Sequence, residues 1–208
     1  MLSCPFPADW RNNLVTAKFP PMLNGATKQE TQKLFETLQP PELGPGPRPG
    51  TKSEAELKKC LDKTFGSSNA QGEQWDLIVS LVMLWHDHLD SAHEIAQGIA
   101  NPTGSFVHGI MHRREPDYGN AAYWFRRVGK HPAFAEIASR AGKALDAKGQ
   151  AELTQKLVPG GEWDPFAFVS ACEGAARTSG RAEQKELMRE LQAIETSALF
   201  DWLCSNQK

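Results

Sequence analysis

The sequence predicts an all-α fold, and three observations carry that expectation. Alanine and leucine supply 43 residues against 13 for isoleucine and valine, a balance that favours helix over strand. Apolar residues recur at spacings of three and four, and no run alternates with period two. Nine of the 14 prolines fall before residue 50, which leaves the rest of the chain almost free of helix breakers. At 208 residues, the expectation is a single multi-helix domain over 51–208. Residues 1–50 are then a proline-rich N-terminal strap packed on that core.

The elements follow in order. Residues 27–38 read as a short helix with Leu34 and Leu38 four apart. Residues 40–50, PPELGPGPRPG, cannot hold a helix, because proline removes donors and clashes with the preceding turn. Leu43 is their only sizeable apolar side chain, so the strap is expected to bury little and to be dispensable to the core. Ser53 with Glu56 three later is a capping box, followed by a stripe of Leu57, Cys60, Leu61 and Phe65. Ile78, Leu81, Val82, Trp85, Leu89, Ala92 and Ala96 keep one helical face with no breaker before Gly98, which predicts one continuous helix over 74–97. Asn101-Pro102-Thr103-Gly104 ends it, and residues 105–115 form the next helix, stopped by Pro116. Asp117 or Asn120 caps a third through Val128, and Gly129 closes it. Further helices are expected at 133–146, 149–157, 165–176 (Asp164 as cap, Pro165 at the first position) and 181–203.

Composition excludes several classes. The net charge of −2 argues against a nucleic-acid partner. The longest apolar run, Leu77 to Trp85, contains Ser80 and is far shorter than the ~20 residues of a membrane span. No basic segment followed by an apolar core opens the chain, so no secretory signal is expected. Cysteines 4, 60, 172 and 204 have neither short-range pairing nor metal spacing, and are expected as reduced thiols in a cytoplasmic protein.

The chemistry concentrates in one segment. All six histidines (86, 88, 93, 108, 112 and 131) lie within 46 residues, beside Arg113, Arg114, Arg126 and Arg127. His86, Asp90 and His93 share a helical face at i, i+4 and i+7, and His108, His112 and Glu115 repeat that spacing. In an antiparallel hairpin turning at Pro102, His93 lies level with His112, Asp90 with Glu115, and Gln97 with His108. Two carboxylates and two to four imidazoles would then meet between helices, the way bundles build acid–base or metal sites. Against this, Phe106, Val107, Ile110 and Met111 define the apolar face of 105–115, with His108, His112 and Glu115 nearly opposite. Arg114 projects into that apolar face and needs a partner, either a structural carboxylate or an anionic ligand.

The stretch HGIMHRREPDYGN (108–120), with YWFRRVG (123–129) and His131-Pro132, resembles a family of proteins for which no activity is known. Trp85 to Asp90 and Trp163 to Phe166 belong to the same resemblance, which covers roughly residues 75–170 and implies no reaction. Residues 120–127 also resemble the second helix of a Sel1-type repeat, in a single copy where an array needs several. The His86-Asp87 doublet resembles HD-domain phosphohydrolases, but the upstream histidine of those enzymes has no counterpart here.

The function expected from these residues is a small-molecule site between helices 74–100 and 105–115, in either a binding or an enzymatic role. His86, Asp90, His93, His112 and Glu115 are the candidate acid–base groups, because imidazole exchanges protons near neutrality. Arg113, Arg114 and Arg127 are candidates to hold an anionic group, with Tyr118 and Trp124 as aromatic walls. A divalent metal, if one binds, would take Asp90, His93, His112 and Glu115. The alternative is a non-catalytic helical interaction module in which the same residues form structural ion pairs. A filled interior favours that alternative, and a concave pocket favours the first.

Overall fold

Several helix ends are set by the residues next to them. The computed structural model describes residues 28–66, 72–177 and 182–205; among these it is all-helical, a single domain of ten α-helices without a strand. Helix α1 (Lys28–Gln32) runs into a 3-10 turn at Lys33–Phe35, and residues 36–53 continue without helix or strand. In α2 (Glu54–Phe65) the capping box forms: Glu56 N–H donates to Ser53 Oγ, and the Glu56 carboxylate accepts from Ser53 N–H at 2.8 Å. Helices α3 (Glu73–Trp85) and α4 (Leu89–Ala96) follow. Helix α5 (Pro102–Arg114) starts where Asn101 accepts from Gly104 N–H at 2.8 Å, with Pro102 at the first position. Asp117 caps α6 (Tyr118–Val128), and Gly129, at φ 62°, ends it. The remainder are α7 (Ala133–Ala147), α8 (Ala151–Leu157), α9 (Pro165–Arg177) and α10 (Ala182–Ser205). Asp164 caps α9 by accepting from Phe166 and Ala167 N–H, both at 2.9 Å.

The helix expected to run unbroken over 74–97 is two helices. It stops at Trp85 and restarts at Leu89, with Asp87 at φ 68° between them. No glycine or proline makes this break. Side chains of residues 86–88 bond to backbone far away in sequence, and those bonds outweigh the local preference to continue. Left-handed backbone is open to Asp at moderate cost, because its short polar side chain can be anchored.

Helix α5 is the axis of the molecule. Every residue from Thr103 to Arg114 is buried, so the face that looked solvated in the sequence is covered as well. Helix α6 lies closely along it: a Cβ at Gly109 would sit 2.8 Å from the Phe125 ring. Helices α3 and α4 cover other sides of α5, and α10, buried continuously from Leu191 to Phe200, packs on α3, α7 and α9.

One apolar core joins the helices to the segment before them. Leu34, Phe35 and Leu43 belong to it, and Phe35 meets Trp85 and Phe200 edge-on at 5.1 and 4.7 Å. The expectation that residues 40–50 bury little is therefore corrected: Leu43 is 2% exposed and Arg48 7%. Residues 1–27 lie outside the described residues, and with them that part of the expected strap. Among the described residues no helix is long and apolar enough to cross a membrane.

Candidate functional site

Two polar clusters flank α5, and they differ in how completely they are satisfied. The first is built on the turn His86-Asp87-His88. The Asp87 carboxylate, 1% exposed, accepts from Arg48 N–H at 2.9 Å, from Arg114 Nη2 at 2.6 Å and from Arg48 Nη1. Arg114 Nη1 also donates to the Leu84 carbonyl, and Arg48 Nη2 to the Trp85 carbonyl at 2.6 Å. Guanidinium groups thus bind the last carbonyls of α3. Burial lowers the Arg114 pKa and takes Arg48 down to about 10, with Asp87 opposing both shifts. Arg48 therefore stays charged at neutral pH.

The histidines on either side of Asp87 clamp the segment before α2. His86 Nδ1 accepts from Lys52 N–H at 3.1 Å, which makes Nε2 the donor to the Leu34 carbonyl at 2.8 Å. His88 Nε2 donates to the Lys52 carbonyl at 2.8 Å. Burial pushes the His86 pKa down to about 4, so it stays neutral. His131 behaves alike: Nδ1 accepts from Ala133 N–H, Nε2 donates to Thr103 Oγ1, both at 3.2 Å, and burial brings its pKa to about 4.

Arg113, one residue before Arg114, points to another neighbour. Its guanidinium pairs with Glu195 of α10, lies 3.4 Å from Gln192 Oε1 and sits 4.5 Å above the Phe168 ring. Burial opposes its charge, yet Glu195 prevails and holds its pKa above the ordinary value.

The second cluster holds His93, His108 and His112. The ring of His93 lies 5.2 Å from that of His108 and 5.6 Å from that of His112, and the latter two are 6.3 Å apart. His108 Nδ1 donates to the Gly104 carbonyl, 3.0 Å away, one helical turn earlier. His112 Nδ1 lies 3.0 Å from Glu115 Oε2, and Asn120 Nδ2 lies 3.2 Å from His112 Nε2. Trp124 stacks on His108 at 4.2 Å, and the exposed Arg127 guanidinium lies 5.4 Å over Trp124. Burial, with the neighbouring imidazoles adding to it, lowers the His108 pKa. Among the described residues, neither nitrogen of the half-buried His93 has a hydrogen-bond partner, nor has His108 Nε2.

The candidate residues therefore separate. His93, His112 and Glu115 come together, with Trp124 and Arg127 beside them. His86 does not join them, because both its nitrogens serve the turn. Asp90 does not either: it is exposed in the first turn of α4, three residues before His93. Arg113 and Arg114 face carboxylates of the protein instead of an opening. Tyr118 is half-buried beside α9; its hydroxyl is buried without a hydrogen bond and burial raises its pKa. Among the described residues no three His, Cys, Asp or Glu side chains are arranged to hold a metal ion, which corrects the expected set of Asp90, His93, His112 and Glu115.

Sequence reasoning missed three residues: Asp87, Arg48 and Glu195. Glu195 carried a signal, a lone carboxylate inside the run Ala193 to Leu199 that α10 buries. His108 was placed in the cluster by the face it shares with His112 one turn later, but not among the acid–base groups. Arg48, between two prolines, gave none.

No family model, curated protein or solved structure matches the chain.

Proposed function

We propose that the protein is a non-catalytic helical interaction module, in which buried ion pairs fix how the helices pack. One observation carries this reading: Arg113 and Arg114, offered by the sequence as clamps for an anionic ligand, are each at most 1% exposed and already paired with Glu195 and Asp87. A guanidinium bonded to an internal carboxylate has no free fork for a phosphate or carboxylate guest. The free thiols Cys60, Cys172 and Cys204 support a place in a reducing compartment, the cytoplasm. Membership of the family that residues 108–132 resemble is part of the same proposal.

The experiment is a thermal titration with inorganic phosphate and with citrate, run beside a double-mutant cycle on Arg114 and Asp87. The module reading expects no saturable stabilisation by either anion, and a coupling of at least ~1 kcal/mol between the pair. A saturable shift that Arg114→Gln abolishes would instead make the arginines a ligand clamp.

A second reading has its own observation. His112 carries Glu115 on Nδ1, the carboxylate–imidazole arrangement that orients a proton acceptor, and His93 stands beside it. In that reading His93, His112 and Glu115 exchange protons with a small anionic molecule, while Arg127 and Trp124 hold it. Loss of turnover in His112→Gln with unchanged folding is its test, once a substrate is found.

A further inference from the structure

The arginines divide by what they bind. Eight lie among the described residues, and six of these pair with a carboxylate: Arg48, Arg113, Arg114, Arg140, Arg177 and Arg189. Arg126 and Arg127, in the last turn of α6, are exposed and have no carboxylate partner among the described residues. Lys130, exposed just beyond the helix, has none among them either. No Asp or Glu occurs between Asp117 and Glu136, so these three cations stand in a stretch without an acidic residue of its own.

Aromatic rings complete the patch. Tyr123, Arg126 and Arg127 are neighbours on the helix surface, at i, i+3 and i+4. Tyr123, 46% exposed, is one of three large apolar side chains left in water among the described residues. The Arg127 guanidinium lies 5.9 Å from the centre of the Tyr123 ring and 5.4 Å from that of Trp124. Such ring contacts steady a guanidinium and spend none of its bidentate capacity for carboxylate. Trp124 is itself held in place, stacked on His108 at 4.2 Å. Cations near a helix C-terminus also complement the helix dipole, which accounts for charge in this turn. It does not account for a tyrosine exposed beside them. Tyr, Trp and Arg are the side chains most enriched where protein interfaces concentrate their binding energy.

We infer that the outer face of α6, formed by Tyr123, Arg126 and Arg127, backed by Trp124 and extended by Lys130, docks an acidic segment of a partner protein. Carboxylates of that segment sit on the arginines, and an apolar side chain covers Tyr123. The inference rests on the interaction-module reading and gives the module its surface and its kind of partner. Charge chooses the occupant, because unpaired guanidinium groups receive carboxylates in bidentate fashion. A nucleic acid fits less well: the chain carries a net charge of −2, and three cations are few for a phosphate backbone.

The test is fluorescence anisotropy of a labelled peptide of glutamate and aspartate with interspersed leucines, titrated with the full-length chain. Its glutamine–asparagine counterpart and a single-stranded oligonucleotide of equal length are the comparisons. The acidic peptide should bind saturably and at least tenfold tighter than either, with chemical-shift changes in the ¹⁵N-labelled chain centred on α6. Arg126→Gln combined with Arg127→Gln should weaken binding at least tenfold. Tyr123→Ala should weaken it about fivefold or more, the loss expected of an interface anchor. All three side chains are exposed, so the thermal melts of these variants should match the parent. Arg177→Gln, exposed on α9 and paired with Glu173, should bind as the parent does. Absence of saturable binding, parent-like affinity in the double variant, equal binding of the neutral peptide or tighter binding of the oligonucleotide would overturn the surface. So would self-association in sedimentation that the double variant abolishes, since the occupant would then be a second copy. None of these arms touches the Arg114–Asp87 cycle, so failure of this surface and failure of the interaction-module reading are told apart.

Discussion

The turn His86-Asp87-His88 and the trio His93, His108 and His112 use the same side chain for opposite ends. In the turn, both nitrogens of His86 and all of the Asp87 carboxylate are bonded to groups fixed by the fold. In the trio, each ring nitrogen of His93 and one of His108 is left open. Imidazole has one donor and one acceptor when neutral, and a buried turn that satisfies both gains rigidity but keeps nothing for a guest. The lesson is that polarity and burial alone do not mark a site. Unspent bonding capacity beside preset orientation does.

Asp87→Asn should give the largest effect that tests this contrast. Asparagine tolerates the left-handed backbone, so the substitution isolates the lost charge and strands Arg48 and Arg114 together. A loss of about 3–5 kcal/mol in urea unfolding is expected, the cost of unpaired buried charge. Arg114→Ala should cost less, since Arg48 still pairs with Asp87. A neutral result for Asp87→Asn would break the claim that the turn is structural.

His86→Ala comes next, at about 2–4 kcal/mol, because it leaves the Leu34 carbonyl and Lys52 N–H without partners. The matched change, His93→Ala, removes a half-buried ring without hydrogen bonds, and a loss within about 1 kcal/mol is expected. Equal losses at the two positions would erase the distinction between the clusters.

Acid sharpens it further. The fold holds His86 and His131 neutral, each with a pKa near 4 against 6.5 for the free side chain. Between those values the unfolded chain takes up protons that the folded chain refuses. Stability is therefore whole above pH 6.5 and declines as pH falls from there towards 4. These two residues should contribute an uptake of about two protons on unfolding near pH 5, and His86→Gln should remove about one of them. Urea midpoints across pH 4.5–7 measure the slope. An unchanged slope in His86→Gln would show that this ring is not held neutral.

The smallest expected effect is at the edge of the contrast. His88 is half-buried and serves one carbonyl, so His88→Gln should cost about 0.5–1.5 kcal/mol, the worth of one hydrogen bond. A larger loss by thermal melt would place His88 with His86 as a full member of the clamp.

Helix starts were legible in the sequence because their causes are local. Ser53 with Glu56, Asp117, Asp164 with Pro165, and Gly129 each act within four residues of the end they define. The break after Trp85 was not legible, since its causes are 34–52 residues away at Leu34 and Lys52. Apolar period cannot report a partner that the chain meets only after folding. The same limit explains the site. The spacing that pairs His93 with His112 survived because α4 and α5 are neighbours joined by a short connection. His86 was lost because the count that placed it assumed an unbroken helix. Arg114 was read as buried and in need of a partner, and it is, but which carboxylate answers it depended on the turn that no local signal revealed.

The hold of α10 on the N-terminal segment has a consequence for how the chain is made. Arg189 and Gln192 donate to the carbonyls of Pro40, Pro41 and Glu42, across separations of 148–151 residues. A ribosome adding 5–20 residues per second releases the first partner roughly 7–30 s before the second. This segment leaves the tunnel well before α10 and is seated fully only once α10 has followed. Through that interval Leu34, Phe35 and Leu43 wait in water, where a chaperone that recognises short apolar stretches would meet them.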